Sequence, residues 1–337
     1  MSDILLKADH VTMTFFGKTT LVDRIVRRMG GRPKKRSLLA VADVSLALYR
    51  GRMLGLVGES GCGKSTLGRM IAGILSPTSG SVLLDGKPIM VGKRKVTTRI
   101  QTVFQDPFAS LDARMRVGQI VAEGPIAHRR VTKAAARQFV TRWLETVGLD
   151  PSYADRYPHQ FSGGQRQRIA IARALAMAPD VLVCDEPVAS LDVSIQAQII
   201  NLFARLTREL NLTTLFISHD LGVIRHLCES VAVMYLGGIV ESGPTADVYS
   251  KPLHPYSKAL IDAVPKIGDG AATFKPIAGE IPSPLDPPSG CVFHTRCPYI
   301  VDRCRIERPV LREVTSGRWA ACHRIDEISL TSKVADS

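Results

Sequence analysis

Gly58, Glu59, Ser60, Gly61, Cys62, Gly63, Lys64, Ser65 and Thr66 spell G-x-x-x-x-G-K-S-T. A short apolar run, 53–57, precedes them, and a helix-forming stretch follows. The glycines of such a loop let backbone N–H groups close around phosphate oxygens, and the helix start adds a partial positive charge. In that setting Lys64 reaches the β- and γ-phosphates of a nucleotide, and the Ser65 hydroxyl coordinates Mg²⁺. A glycine-rich turn that binds nothing is the bland alternative; a strand before it and a helix after it argue against that. Cys62 belongs to the set by position only, with no role given to its thiol.

A second chemical signal is Asp185-Glu186 at the end of the apolar run 181–184. The carboxyl ends of buried strands are where open α/β sheets bind ligands. There Asp185 suits Mg²⁺ held through water, and Glu186 suits a water to be oriented or deprotonated. Alone, the pair also reads as an acidic helix cap. A third signal is Ser162-Gly163-Gly164-Gln165. Ser162 and Gln165 have capping-box spacing, yet two glycines in a first turn cost about 1 kcal/mol each. A helix tolerates them where an anion approaches the backbone. One nucleotide rarely needs two cradles, so the second suits a nucleotide held by another subunit.

The elements needed to position these groups are readable from periodicity. Strands are predicted over 4–16, 38–48, 53–57, 181–184 and 213–217, and helices over 65–75, 132–147, 163–177 and 195–210. Thr132 is the expected N-cap of the second helix, with Phe139, Val140, Trp143, Leu144 and Val147 as its apolar stripe. Short apolar strands alternating with helices predict a mainly parallel sheet covered on both faces. Residues 276–288 hold five prolines, and four of the seven cysteines follow, at 291, 297, 304 and 322. This tail reads as a separate unit with little core of its own, held by a metal centre. The C-x5-C-x6-C-x17-C spacing matches neither a common zinc pattern nor a ferredoxin pattern, so Zn²⁺ and an iron–sulfur cluster both stay open. Cys184 and Cys228 read as buried structural thiols.

The chain has 337 residues, 45% of them apolar and 22% charged, which excludes a mostly disordered protein. No apolar run approaches the ~18 residues that span a bilayer. The N-terminus does not read as a secretory signal, and seven cysteines without one point to a reducing compartment. The net charge is +13. It falls to +6 without Arg24, Arg27, Arg28, Arg32, Lys34, Lys35 and Arg36. That cluster suits a nucleic-acid or lipid contact, but glycines and a proline interrupt it and no aromatics interleave, so a solvated basic loop is favoured.

The phosphate loop, Gln105, residues 162–165, Asp185-Glu186, Ser190-Leu191-Asp192 and His219 come in the order seen in ATP-binding cassette ATPases, and the chain resembles that family over roughly residues 4–250. The resemblance implies an α/β P-loop cassette over 1–252. It would combine a mainly parallel core sheet, a helical subdomain at about 106–178 and an N-terminal antiparallel β subdomain, with a small cysteine-rich extension over 253–337. It implies ATP and Mg²⁺, and two cassettes closing head to tail. The loop of each would face Ser162, Gly163, Gly164 and Gln165 of the other, with Asp192 bridging the sites. Glu186, His219 and Gln105 would be catalytic: Glu186 on the attacking water, His219 on the γ-phosphate, Gln105 sensing Mg²⁺ and water and passing closure onward. Phe15 would stack on adenine, with Phe16 as its rival.

Residues 105–112, 157–168 and 254–260 narrow the likeness to ATPase subunits of bacterial dipeptide and oligopeptide importers. That branch implies a peripheral protein at the cytoplasmic face of the inner membrane. It implies two permease subunits, a paralogous ATPase or a second copy of this chain, and a solute-binding protein as partners. Peptides are the implied cargo, with nickel or another small solute as the alternative. Cys291, Cys297, Cys304 and Cys322 resemble the branch's cysteine motif, which implies [4Fe–4S], with Zn²⁺ as the alternative. A nucleic-acid- or ribosome-acting cassette ATPase is the rival class; such proteins usually carry two cassettes, a coiled-coil insert or an internal zinc module. No nucleic-acid partner is expected.

Overall fold

The structure, a computed structural model, describes residues 3–17, 37–264 and 277–330. The basic cluster at 24–36 lies outside the described residues. Two large sheets organise the described residues, beside a two-stranded ribbon of Met90–Val91 and Arg94–Lys95. In the smaller, β1 (Ile4–Phe16) lies antiparallel between β2 (Ser37–Tyr49) and β4 (Ser79–Leu84), and β4 carries the short β5 (Lys87–Pro88) at the edge. β3 (Met53–Val57), between β2 and β4 in the chain, belongs to the larger sheet.

That sheet runs β11-β12-β10-β9-β3-β8-β7-β6. Here β6 is Ile100–Val103, β7 Val181–Asp185, β8 Thr213–Ile217, β9 Ser230–Tyr235, β10 Gly238–Pro244, β11 Arg312–Thr315 and β12 Arg318–Ala320. From β9 to β6 all neighbours are parallel; from β9 to β11 all are antiparallel.

The pleat sorts side chains into two cores. Leu54, Leu56, Val181, Val183, Leu215 and Ile217 face one layer with Leu67, Met70 and Ile71 of α1 (Lys64–Ile71). Met53, Val57, Leu182, Cys184 and Phe216 face the other. On that face lie α2 (Val117–Ala127), α3 (Ala136–Thr146), α4 (Gly163–Leu175) and α5 (Val193–Glu209). All five positions of β3, β7 and β8 are buried, which is why their apolar residues are consecutive rather than alternating.

Two expectations need correction. α3 begins at Ala136, not after Thr132: the Thr132 hydroxyl accepts the Ala135 N–H at 3.3 Å and closes a turn ahead of the helix. The tail is not packed as a separate unit. β12 pairs with β10 and extends the core sheet. Phe293, 1% exposed, enters the main core against Tyr235, Tyr256 and His254. α6 (Leu221–Leu227), α7 (Thr245–Ser250) and α8 (Pro255–Asp262) lead from the core toward it. No helix among the described residues is long and apolar enough to cross a membrane.

Candidate nucleotide site and cysteine pocket

The parallel strands end together. Val57, Asp185 and Ile217 close β3, β7 and β8, so the glycine loop, the acidic pair and Ser218-His219 emerge at one sheet edge. The loop is held tightly. Gly58 has φ +154 and Gly63 φ +109, and a Cβ on either would lie 2.2 Å from a backbone carbonyl oxygen, Met234 O and Ala40 O respectively. Lys64 is 4% exposed, and its Nζ donates to the carbonyls of Gly58 at 2.7 Å and Glu59 at 3.0 Å. Ser60 and Gly61 face solvent, and Thr66 is half-buried in the first turn of α1. Cys62 turns inward: it is 4% exposed and burial pushes its thiol pKa up. Its side chain belongs to the core, not to a ligand.

Loop and acidic strand meet where the Ser65 hydroxyl donates to Asp185 Oδ1 at 2.7 Å. These two oxygens, one on each element, are the donor type Mg²⁺ takes. Burial raises the Asp185 pKa against the lowering effect of the Ser65 hydrogen bond. Glu186 sits at φ +48, a left-handed conformation unusual for a residue with a side chain. Its N–H donates to Ile217 O at 3.0 Å, tying it to the neighbouring strand end. His219 Nδ1 lies 3.2 Å from Glu186 Oε2; the His219 side chain is 55% exposed and that of Glu186 14%. A carboxylate and an imidazole thus share one edge with the phosphate loop.

Gln105 is exposed, and its carbonyl accepts the Ser190 hydroxyl at 3.3 Å, which joins it to the segment after the acidic pair. Beyond it, Phe108 lies 3.7 Å from the Arg166 guanidinium carbon, and Arg173 donates to the Ser110 carbonyl, so the post-Gln105 segment rests on α4. Phe15 and Phe16 end β1, 41% and 68% exposed. Ser162 and Gln165 form the expected capping box, side chain to backbone at 3.3 and 3.1 Å. Their described hydrogen bonds stay within that turn. Gly164 also has a packing reason, since a Cβ there would lie 2.4 Å from Ile195 Cγ2 of α5. Asp192 is exposed ahead of α5.

Two residues to which the sequence assigns no part in the nucleotide site join it. The Tyr256 hydroxyl accepts the Glu59 N–H at 2.9 Å, and Arg296 forks onto the Glu59 carboxylate at 2.7 and 3.0 Å. Arg296 lies in the 3₁₀ turn His294–Arg296 between two cysteines, and only the fold brings it to the loop.

Cys291, Cys297, Cys304 and Cys322 line one small cavity with His254, His294 and His323, and all four are free thiols. Burial pushes Cys291, Cys297 and Cys322 up to about 11. Among the described residues, no three His, Cys, Asp or Glu side chains are arranged to hold a metal ion.

A glycine loop on a strand–helix turn, with acidic and basic groups at adjoining strand ends, defines a P-loop nucleotide-phosphate site. The ABC transporter family matches residues 41–189, and the oligopeptide/dipeptide transporter, C-terminal region, matches residues 240–304. A Brucella abortus (strain 2308) protein named as a peptide import ATP-binding protein is 50% identical over 334 residues, covering 96% of this chain and 99% of its own. One so named from Brucella ovis is 48% identical over 296 residues, covering 86% and 93%. The structure of cbiO1 from Clostridium perfringens, described as part of the ABC transporter complex cbiONQ, is 31% identical with a TM-score of 0.60, over 73% of this chain and 91% of that one. The chain belongs to the ABC transporter ATP-binding family, whose members hydrolyse ATP to drive transport.

Proposed function

We propose that this chain is the ATP-hydrolysing subunit of a peptide importer. The catalytic reading rests on the Ser65–Asp185 hydrogen bond, which joins the phosphate loop to the acidic strand end. The cargo reading rests on the Brucella relatives named for peptide import and on the matched C-terminal region. Residues 58–66 cradle the ATP phosphates while Phe15 stacks on adenine. Ser65 and Asp185 hold Mg²⁺, with Gln105 sensing it. Glu186 orients the attacking water, and His219 contacts the γ-phosphate. Ser162, Gly163, Gly164, Gln165 and Asp192 serve the nucleotide of a second cassette, whether a paralogue or another copy. Two permease subunits and a solute-binding protein complete the machine, with this chain at the cytoplasmic face of the membrane.

Glu186→Gln removes the carboxylate and keeps the shape. Turnover falls by about 10²–10⁴-fold, the usual worth of a general base, while an ATP-bound dimer accumulates on gel filtration. Hydrolysis at the parent rate by the purified Glu186→Gln transporter overturns the role given to Glu186.

For the cysteines, four thiols on one cavity suit a ligand set in kind and number. The likeness of this set to the cysteine motif of the peptide-importer branch supports [4Fe–4S] held by Cys291, Cys297, Cys304 and Cys322, with Zn²⁺ as the alternative. Such a group would staple the extension. Protein purified without oxygen is brown and carries about four irons and four labile sulfides per chain; a colourless protein with one zinc refutes this.

A further inference from the structure

Glu59 is gripped from the far end of the chain. Its N–H is bound by Tyr256, and its carboxylate is forked by Arg296, a residue 237 positions away. The Arg296 side chain is 3% exposed and that of Glu59 21%. Nε of Arg296 donates to Ala278 O at 3.1 Å, and its guanidinium stands 5.9 Å from the Tyr235 ring centroid, so the fork is fixed from behind. On its other side Glu59 accepts Lys64 Nζ through its own carbonyl. A continuous path therefore runs from the turn between Cys291 and Cys297, through Arg296 and Glu59, to the loop lysine.

We infer that Arg296 is a positioning residue for the phosphate loop: it neutralises the Glu59 carboxylate beside a site for a polyanion and fixes the loop turn that carries Lys64. An uncompensated carboxylate at the mouth of that loop repels a triphosphate. A bidentate guanidinium both cancels the charge and sets its direction. This rests on reading residues 58–66 as an ATP cradle.

The test is titration of the full-length chain with a fluorescent ATP analogue and Mg²⁺, with melting of the nucleotide-free protein followed in parallel. Arg296→Met weakens analogue binding about tenfold, the size expected for a lost charged hydrogen bond. Arg296→Gln, which still donates a hydrogen bond but has no charge, gives a similar loss and supplies the measurement if the Met variant does not fold. Adding Glu59→Gln to either removes the stranded carboxylate and restores affinity to within about threefold of the parent; a purely structural role for Arg296 would show no such rescue. Parent-like binding by the uncharged variants, or failure of Glu59→Gln to rescue them, overturns the inference. A parent chain that binds no analogue overturns the ATP-site reading instead.

Discussion

Each residue of the phosphate loop carries a separate constraint. Lys64 donates to the carbonyls of Gly58 and Glu59, which hold its ammonium at the loop. The glycines differ in what they are for. Gly61, at φ +78, has open space where a Cβ would be, whereas Gly63, at φ +109, would drive a Cβ to 2.2 Å from Ala40 O. Gly61→Ala therefore costs only the left-handed backbone, about 1–2 kcal/mol. Gly63→Ala adds a backbone clash that no rotamer relieves, worth at least about 1 kcal/mol more. Denaturant melts of the two variants measure the gap, and equal losses would remove the close approach of Ala40 as the reason for glycine at 63. Chain order and spacing made this loop, the acidic pair and the capping box readable in advance, because each is a contiguous run. Tyr256 and Arg296 were not readable, because their partner Glu59 is 197 and 237 positions away.

At the scale of elements, strands were more legible than helix ends. β3, β7 and β8 are five-residue strands dominated by short apolar runs, and the structure places them within a residue of where periodicity does. Helix starts depend on which of several caps wins. Ser162 caps α4 because its hydroxyl meets the Gln165 N–H. Thr132 has the same side-chain chemistry, but its hydroxyl closes a local turn instead, and α3 starts at Ala136 with no side-chain cap. Propensity does not separate these outcomes, since Ser and Thr stabilise turns and N-caps through the same oxygen. The glycines after Ser162 show a related ambiguity. Their spacing suggests close approach of an anion, while in the structure a Cβ on Gly164 would lie 2.4 Å from Ile195 Cγ2 of a packed helix. A pairing of α4 with α5 is a tertiary fact that no local window contains.

At the scale of the whole molecule, composition reads the tail as a separate unit, whereas packing joins it to the cassette. Proline-rich stretches and clustered cysteines look like an appendage because they lack a periodic apolar face. What binds the extension to the cassette is a few single residues. Phe293 fills an aromatic nest with Tyr235 and Tyr256, at ring centroids 5.3 and 5.4 Å away. Arg318 reaches the fully buried Glu241 at 3.2 Å, and β12 adds to the sheet beside it. Glu241 also accepts the N–H groups of Leu253 and His254, at 2.8 and 2.9 Å, which fixes the chain entering α8. Extension and cassette therefore lose structure together. Phe293→Ala opens a cavity shared by both parts and costs about 3–5 kcal/mol. It lowers the melting midpoint of the main transition, while Phe293→Leu, which refills part of the volume, costs less. If the extension were a separately folding unit, Phe293→Ala would melt it early and leave the main transition at the parent midpoint. Calorimetry of the two variants distinguishes these, and an unmoved main transition would mean that the aromatic nest does not join the two parts.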